Sequence, residues 1–492
     1  MFRKRTEKDK KNRKGKKIML FNGEKGPFLP PFKLEDAGML EPIPSKDSTA
    51  DWLSTGFETL DRDLFDPDGL YEIMGKTGVR KARLQSGWAR CERAKGVYTF
   101  EWLDSVVDNL VKEGITPWMC LSYGNPVYTP SKHPAAVACP PVCFGPEAVE
   151  AWEKFVAEVV RRYRNKVCAY EVWNEPDGQS FWGPGRPDLS KYLELVEITA
   201  KVVRENDPEA KVIGTFASAK SAAKCIKMGL GKYCDIVSYH SYTMYPEFYS
   251  RMFTELVRCA KEKYAPHLKI WHAESGCPSQ SKDHYDEWIG LYHCTHEMQA
   301  KWVARRISTD FRNNVELFSY YHTSDLTKHP YVNGRGIELG FGRMGLIAQP
   351  GNQPKLSCRT FANCCRIFDA STKREQLFTW IAYNNVMKPL YEPEKPRDLF
   401  TNVICDSYIR KGYPMYLYYY PGDLQRENVI NVMEGNTFTN TAENKITEPV
   451  LLDLVNGNIY RFKQVAANEE YLEIMYLPLT DYPLVLTDLK AL

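Results

Sequence analysis

The stretch Pro146–Gly178, PEAVEAWEKFVAEVVRRYRNKVCAYEVWNEPDG, reads as three things in succession. Its first twenty residues carry apolar side chains at helical spacing, "VCAYEVW" (Val167–Trp173) is a short apolar run suited to a buried strand, and Asn174, Pro176, Asp177 and Gly178 are residues that end strands and shape loops. Outward from this unit the alternation repeats. Upstream lie a strand in "VRKARLQSGW" (Val79–Trp88), a helix in "EWLDSVVDNLVKEG" that closes on Gly114, and a strand in "ITPWMCLSY". Downstream come a helix from about Asp188, strand "KVIGTFA", a helix near Ala219–Gly229, strand "CDIVSYHSY", helix "EFYSRMFTELVRCAKEKY", strand "LKIWHAES", a long helix Glu287–Arg312 and strand "VELFSYYHT". With a weakly marked first strand in "DWLSTGFETL", there are about eight β/α units, and repeated units with short connections require parallel strands covered by helices. That number predicts a closed (β/α)8 barrel. No glycine-rich phosphate turn follows any strand, which argues against an open doubly wound sheet.

After Pro350 the pattern changes. The helix "KLSCRTFANCCRIFD" closes the barrel as its eighth, and segments such as "PMYLYYYPGD", "EPVLLDLVNGNIYRF" and "YLEIMYLPLTDYPLVLTD" predict antiparallel strands, with "NGN" marking a hairpin. The expected division is a barrel over 51–371 and a β-sandwich over 372–492, with 18–50 contributing a strand to the sandwich.

Residues 1–17 carry ten Lys/Arg against two acids, a local charge of +8 in a chain whose net charge is +3. The body is therefore mildly acidic, and the basic run reads as a disordered, solvated tail rather than a nucleic-acid surface. Only "IMLF" follows it, too short for the apolar core of a secretory signal, and no long apolar run suggests a membrane span. Fourteen cysteines, several inside apolar runs (Cys120, Cys234) and two adjacent (Cys364, Cys365), suit reduced, buried thiols. A cytoplasmic location is the resulting expectation. Cys139 and Cys143 lack a matching second pair, and His293 with His296 falls in a helical pattern, so no zinc site or other cofactor is implied. A homo-oligomer is compatible with the sequence.

Chemistry in a (β/α)8 barrel sits at the C-terminal ends of the strands. There, "NEPDG" places Glu175 after the fourth strand and "IWHAESGCPS" places Glu274 after the seventh. A turn alone would account for one carboxylate, but two that converge across one mouth are the equipment of glycoside hydrolysis. One protonates the departing oxygen, while the other meets the positive charge developing at the anomeric carbon. Like charges so close push one carboxyl up in pKa and leave the better hydrogen-bonded one ionised. Asn174 stands where it can bond a sugar hydroxyl, and Tyr242, at the end of the sixth strand in "YHSY", where it can donate to Glu274. His240 shares a strand face with Tyr242 by the alternation of side chains. Flat rings make platforms for pyranoses; the candidates are Trp88, Trp118, Trp173, Trp182 and Trp271, with Trp182 first, although a tryptophan within a strand is more often core.

"VWNEP" followed about a hundred residues later by "WHAESG" resembles the clan A glycoside hydrolases, and "WNEPD", "GVYTFEWLD" and the terminal "LPLTDYPLVLTD" resemble family 39 most. That family includes β-xylosidases and α-L-iduronidases. The resemblance runs from about Thr55 to the C-terminus. It implies a retaining, exo-acting hydrolase with Glu175 as acid/base and Glu274 as nucleophile, and it supports Asn174, His240 and Tyr242 as residues at the substrate. Two departures leave the sugar open among xyloside, arabinoside and uronide. Where the family's second strand typically reads like "VRFHG", this chain has "ARLQSGW", with Arg83 at the arginine position and Gln85 in place of histidine. The tryptophan common after the eighth strand is absent from "FSYYHTSD", so that Tyr320, Tyr321 or His322 must serve, Tyr321 being the substrate-binding candidate. Two other readings remain: a non-catalytic carbohydrate-binding barrel, and a metal-assisted barrel hydrolase that would use His240, His272 and the glutamates.

Overall fold

The computed structural model describes residues 34–131, 133, 135–279, 294–326, 331–332, 338–339, 342–380, 403–424, 430–440 and 442–492. The basic tail and the start of the helix expected at Glu287, with His293, lie outside the described residues. Eight parallel strands close into a barrel: β1 (Leu53–Gly56), β2 (Lys81–Gln85), β3 (Thr116–Leu121), β4 (Ala169–Val172), β5 (Lys211–Phe216), β6 (Ile236–His240), β7 (Lys269–Ser275) and β8 (Leu317–Tyr320). Closure is made by β8 on β1, with Phe318 opposite Leu53 and Tyr320 opposite Thr55. The covering helices are α1 (Leu70–Met74), α2 (Glu101–Lys112), α3 (Pro146–Tyr163), α4 (Leu189–Asn206), α5 (Ala219–Met228), α6 (Pro246–Tyr264), α7 (His296–Arg312) and α8 (Leu356–Ile367).

Helix ends follow local chemistry. Asp188 accepts from the Ser190 and Lys191 amides to start α4, and Thr295 accepts from the Met298 amide at 3.1 Å to start α7. Gly114, at φ +79°, turns the chain after α2 in a conformation that glycine adopts without steric cost.

Period-two alternation decides what fills the barrel. One end is plugged by an apolar layer of Trp118, Ala169, Ile213, Ile236, Trp271, Ala273 and Leu317, in which Trp118 and Trp271 meet edge to face at 5.4 Å. One step further toward the C-terminal ends, the same faces of the strands present Glu171 two residues after Ala169, Thr215 after Ile213, and Ser238 then His240 after Ile236. An apolar floor therefore carries a buried polar layer.

Two antiparallel sheets follow the barrel. In the larger, strand Leu34–Met39 is the edge, pairing with Asn458–Phe462; Pro449–Asp453, Leu484–Asp488, Tyr413–Tyr419, Ile404–Arg410 and Thr372–Arg374 follow in that order. The "NGN" segment does connect a hairpin: Leu452 stands opposite Ile459, and Gly457 takes φ +83°. The smaller sheet contains Thr379–Trp380, Ile430–Thr439, Tyr471–Thr480 and Val465–Ala467, and the two sheets meet where Tyr416 packs on Phe438 with ring centroids 4.9 Å apart.

The sheets are anchored to the barrel by buried polar bonds. Arg305 of α7 forks onto Glu247 of α6 at 2.6 and 2.9 Å and donates to the Gly422 carbonyl, while Tyr419 donates to the same Glu247. Lys301 pairs with Asp481 at 3.0 Å, and Asn363 of α8 donates to the Leu454 carbonyl. No helix among the described residues is long and apolar enough to cross a membrane. All fourteen cysteines are free, with Cys277 and Cys294 sulfurs 3.9 Å apart.

Candidate active site

Glu175 and Glu274 arrive at the mouth by two local irregularities. After β4, Trp173 and Glu175 take φ of +66° and +45°, left-handed values that cost a residue with a Cβ about 1 kcal/mol or more and that concentrate at functional sites. The surroundings hold that turn in place. Trp173 donates to the Phe181 carbonyl at 2.8 Å, Gly178 to the Glu175 carbonyl at 2.8 Å, and Asp177 accepts from the Ala217 and Ser218 amides at the start of α5. In β7 the register slips between His272 and Glu274, so that Glu274 rather than Ala273 stands opposite His240. A bulge of this kind re-aims a side chain, and here it turns Glu274 into the barrel.

An oxygen of Glu175, an oxygen of Glu274 and a ring nitrogen of His240 all lie within 4.8 Å of one another. His240 Nδ1 is 2.8 Å from Glu175 Oε1 and 3.8 Å from Glu274 Oε2. Burial favours the neutral ring, but the surrounding Glu274, Glu171 and Glu175 carboxylates overcome it and hold His240 at about 10, so it is an imidazolium at neutral pH. Tyr242 donates to Glu274 Oε1 at 2.7 Å, and Arg83 donates from Nη1 to Glu274 Oε2. Arg83 also binds Glu171 at 2.6 and 2.9 Å, Asn174 Oδ1 at 2.8 Å and Glu58 Oε1 at 3.2 Å.

These contacts split the two glutamates. Burial raises Glu175 and the nearby Glu274 adds to the rise, against the pull of His240. Burial works on Glu274 as well, but His240, Arg83 and Tyr242 outweigh it and bring Glu274 below the ordinary range. The pair therefore holds one carboxyl that keeps its proton longer and one that gives it up early.

Space lies on both sides of the pair. A cavity of about 460 Å³ opens beside Glu175, walled by Ser218, Lys220, Tyr242, Phe253 and Leu256. A narrow pocket beside Glu274 is walled by Glu58, Arg62, Gln85, Tyr123, Asn174 and Tyr321. The sequence candidates Arg83, Gln85, Asn174, His240, Tyr242 and Tyr321 thus gather around the two carboxylates. Asn174 turns its oxygen to Arg83, which only donates, leaving its amide nitrogen as the donor end. Gln85 is braced on both sides: its oxygen accepts from the Thr59 amide and Arg62, and its nitrogen donates to Tyr123.

The tryptophan expectation fails for Trp182. Its ring is 1% exposed and packs edge-on against Tyr192, so no face is open to a sugar. Trp88, Trp118, Trp173 and Trp271 are likewise core, since wide rings fill the gaps between strands and helices better than any other side chain. Of the three candidates after β8, Tyr320 is buried with its hydroxyl on the Cys277 and Met344 carbonyls, and His322 is buried on the Glu58 carbonyl; only Tyr321 lines the pocket. His272 does not join the glutamates. Its Nδ1 faces Asp310 at 2.8 Å, and its Nε2 accepts from the Ser241 amide.

Glu58, Glu171, Arg62 and Tyr123 were not singled out by sequence reasoning. Glu171 sits two residues after the inward Ala169 in β4, and strand alternation alone could have found it. Buried beneath Arg83, it is held down at about 2: Arg83 and His240 outweigh the desolvation that would raise it.

Residues 85–328 match the model of the glycosyl hydrolases of family 39. A β-xylosidase of Geobacillus stearothermophilus is 25% identical over 301 residues, a match spanning 55% of this chain and 56% of that enzyme's length. Among solved structures, a family 39 glycoside hydrolase from Bacteroides cellulosilyticus WH2 superposes with a TM-score of 0.59 at 17% identity, covering 92% of this chain and 83% of its own. A family 39 β-xylosidase from Caulobacter crescentus gives 0.53 at 17% identity, covering 92% and 98%. These likenesses show the same fold: a barrel carrying antiparallel sheets. With the barrel, the facing glutamates and the family model in agreement, residues 85–328 of the barrel belong to glycoside hydrolase family 39.

Proposed function

We propose that the protein is a retaining, exo-acting glycoside hydrolase in which Glu274 is the nucleophile and Glu175 the acid/base. The observation that carries this reading is the pair itself, with carboxylate oxygens no more than 4.8 Å apart and pKa values pushed in opposite directions. Retaining enzymes hold their carboxyl groups about 5–5.5 Å apart, whereas inverting ones leave room for a water between them.

In the first step a Glu274 oxygen bonds to the anomeric carbon, the glycosidic bond breaks, and the Glu175 proton goes to the departing oxygen. In the second, water gives its proton to Glu175 and displaces Glu274 from the anomeric carbon. The leaving group must sit on the side of the acid, where the 460 Å³ cavity opens. The glycone then lies on the Glu274 side, where the narrow pocket opens. Arg83, Gln85, Asn174, His240, Tyr242 and Tyr321 are the residues assigned to this site, and Trp182 is withdrawn from it. The glycone is a xyloside, arabinoside or uronide, with the β-xylosidase relative favouring the first.

Azide rescue tests the assignment. Glu274→Ala should abolish turnover, and azide should then yield a product of inverted configuration. Glu175→Ala should still cleave glycosides with activated leaving groups, accumulate glycosyl-enzyme, and give a product of retained configuration with azide. The same anomer from both rescued variants would refute it.

A further inference from the structure

Glu58 follows β1, and its side chain folds back over Gly56 so closely that a Cβ at Gly56 would lie 1.9 Å from Glu58 Oε2. The carboxyl is 1% exposed and forms a wall of the narrow pocket beside Glu274. Its Oε1 accepts from Arg83 at 3.2 Å, whereas Oε2 is buried with no hydrogen-bond partner. His322 Nε2, 3.7 Å from Oε2, is instead engaged with the Glu58 carbonyl at 3.0 Å, and burial lowers that ring to about 4, so it is neutral. A buried polar atom without a partner is costly, and one carried by a side chain that walls a ligand pocket is a group a ligand's polar atom can satisfy.

The charges around the pocket are already matched within the protein. Arg83 is shared among Glu58, Glu171 and Glu274, while Arg62 binds Asp61 and Gln85. A carboxylate on the incoming sugar would face the Glu274 carboxylate and would have to draw Arg83 away from it.

We infer, on the footing of the glycosidase reading above, that Glu58 is a sugar-binding residue whose carboxyl donates a hydrogen bond to a glycone hydroxyl, and that the pocket, whose arginines are already engaged beside the Glu274 carboxylate, selects neutral glycones over uronides. Burial drives the carboxyl up to about 8, with Glu274 adding and Arg83 opposing, so Glu58 carries a proton at pH 7. With Oε1 accepting from Arg83, Oε2 is the donor. Above pH 8 the proton leaves, the donor is lost, and a second negative charge faces the sugar beside Glu274. Arg83, Glu274, Arg62, Asp61 and the neutral His322 are the charged and titratable groups that surround this change.

Direct binding of monosaccharides to the full chain tests the proposal without relying on turnover. D-xylose and L-arabinose, and D-glucuronate as the acidic probe, are titrated by saturation-transfer NMR or calorimetry between pH 6 and 9, using the parent protein, Glu58→Gln and Glu58→Ala. A neutral sugar should bind at least about tenfold more tightly than glucuronate at pH 7, because the glucuronate carboxylate would be buried beside Glu274 without an arginine of its own. Its affinity should fall by about tenfold between pH 7 and 9 in the parent but stay level in Glu58→Gln, whose amide keeps a donor throughout. Glu58→Ala should weaken neutral-sugar binding at every pH. Tighter binding of glucuronate, no binding of either neutral sugar, or the same pH profile for parent and Glu58→Gln would overturn it. Failure of the glycosidase reading would appear separately, as absence of turnover on nitrophenyl glycosides with sugar binding intact.

Discussion

His240 Nδ1 stands 2.8 Å from Glu175 Oε1, the closest contact either ring nitrogen makes with a carboxylate, and its positive charge pulls down the pKa of both Glu175 and Glu274. One imidazolium therefore acts on the titration of both carboxyls together.

Replacing it should move both limbs of the pH profile. On the proposed mechanism, activity requires Glu274 ionised, which sets the acid limb, and Glu175 protonated, which sets the alkaline limb. His240→Gln removes the charge that lowers both, so the bell-shaped dependence of kcat/KM should shift upward in pH as a unit. Initial rates across pH 4–9 check this; movement of only one limb would show that His240 acts on one glutamate.

Tyr242→Phe should affect the acid limb alone. The hydroxyl donates to the Glu274 carboxylate, and a hydrogen bond to a charged group is worth about 1.5–3 kcal/mol. The expected result is an acid limb displaced to higher pH and a kcat/KM reduced by about tenfold or more, with the melting temperature nearly unchanged.

Gln85→His should cost stability. One imidazole cannot accept from the Thr59 amide and Arg62 while donating to Tyr123, so a buried donor loses its partner. A loss of about 1–3 kcal/mol by denaturant titration is expected. An unchanged midpoint would mean that the loop after β1 does not depend on this side chain.

The joint between barrel and sheets should be still more sensitive. Glu247→Ala would leave Arg305 buried without its carboxylate and would remove the Tyr419 contact, at a cost of about 3–5 kcal/mol. The exposed pair Lys166–Asp108 serves as the control, since breaking it should cost under about 1 kcal/mol.

Chelation separates hydrolysis by paired carboxylates from the metal-assisted alternative, which the cluster of Glu175, His240 and Glu274 keeps in view. Turnover should be insensitive to EDTA dialysis, because the His240 proton already supplies the positive charge between the two carboxylates. Loss of activity restored by a divalent cation would favour the metal reading.

Much of this molecule is written in periodicities. Helical spacing in Pro146–Asn165 and apolar runs such as Val167–Trp173 recur often enough to count a barrel, because eight short βα connections permit little else. The two glutamates were legible for the same reason: a carboxylate just past the end of a barrel strand has a known place to go. What the sequence could not specify depends on long-range geometry. The slip in β7 that turns Glu274 to face His240, and the left-handed φ of Glu175, exist only when neighbouring strands and the Asp177 contacts impose them. Tryptophans at strand ends are chemically the same whether they line a groove or fill a core, and packing placed Trp182 in the core. Glu58 lay in a weakly marked strand, and its significance appears only among side chains from β2 and β7, because an unpartnered carboxyl oxygen is a property of surroundings contributed by distant parts of the chain.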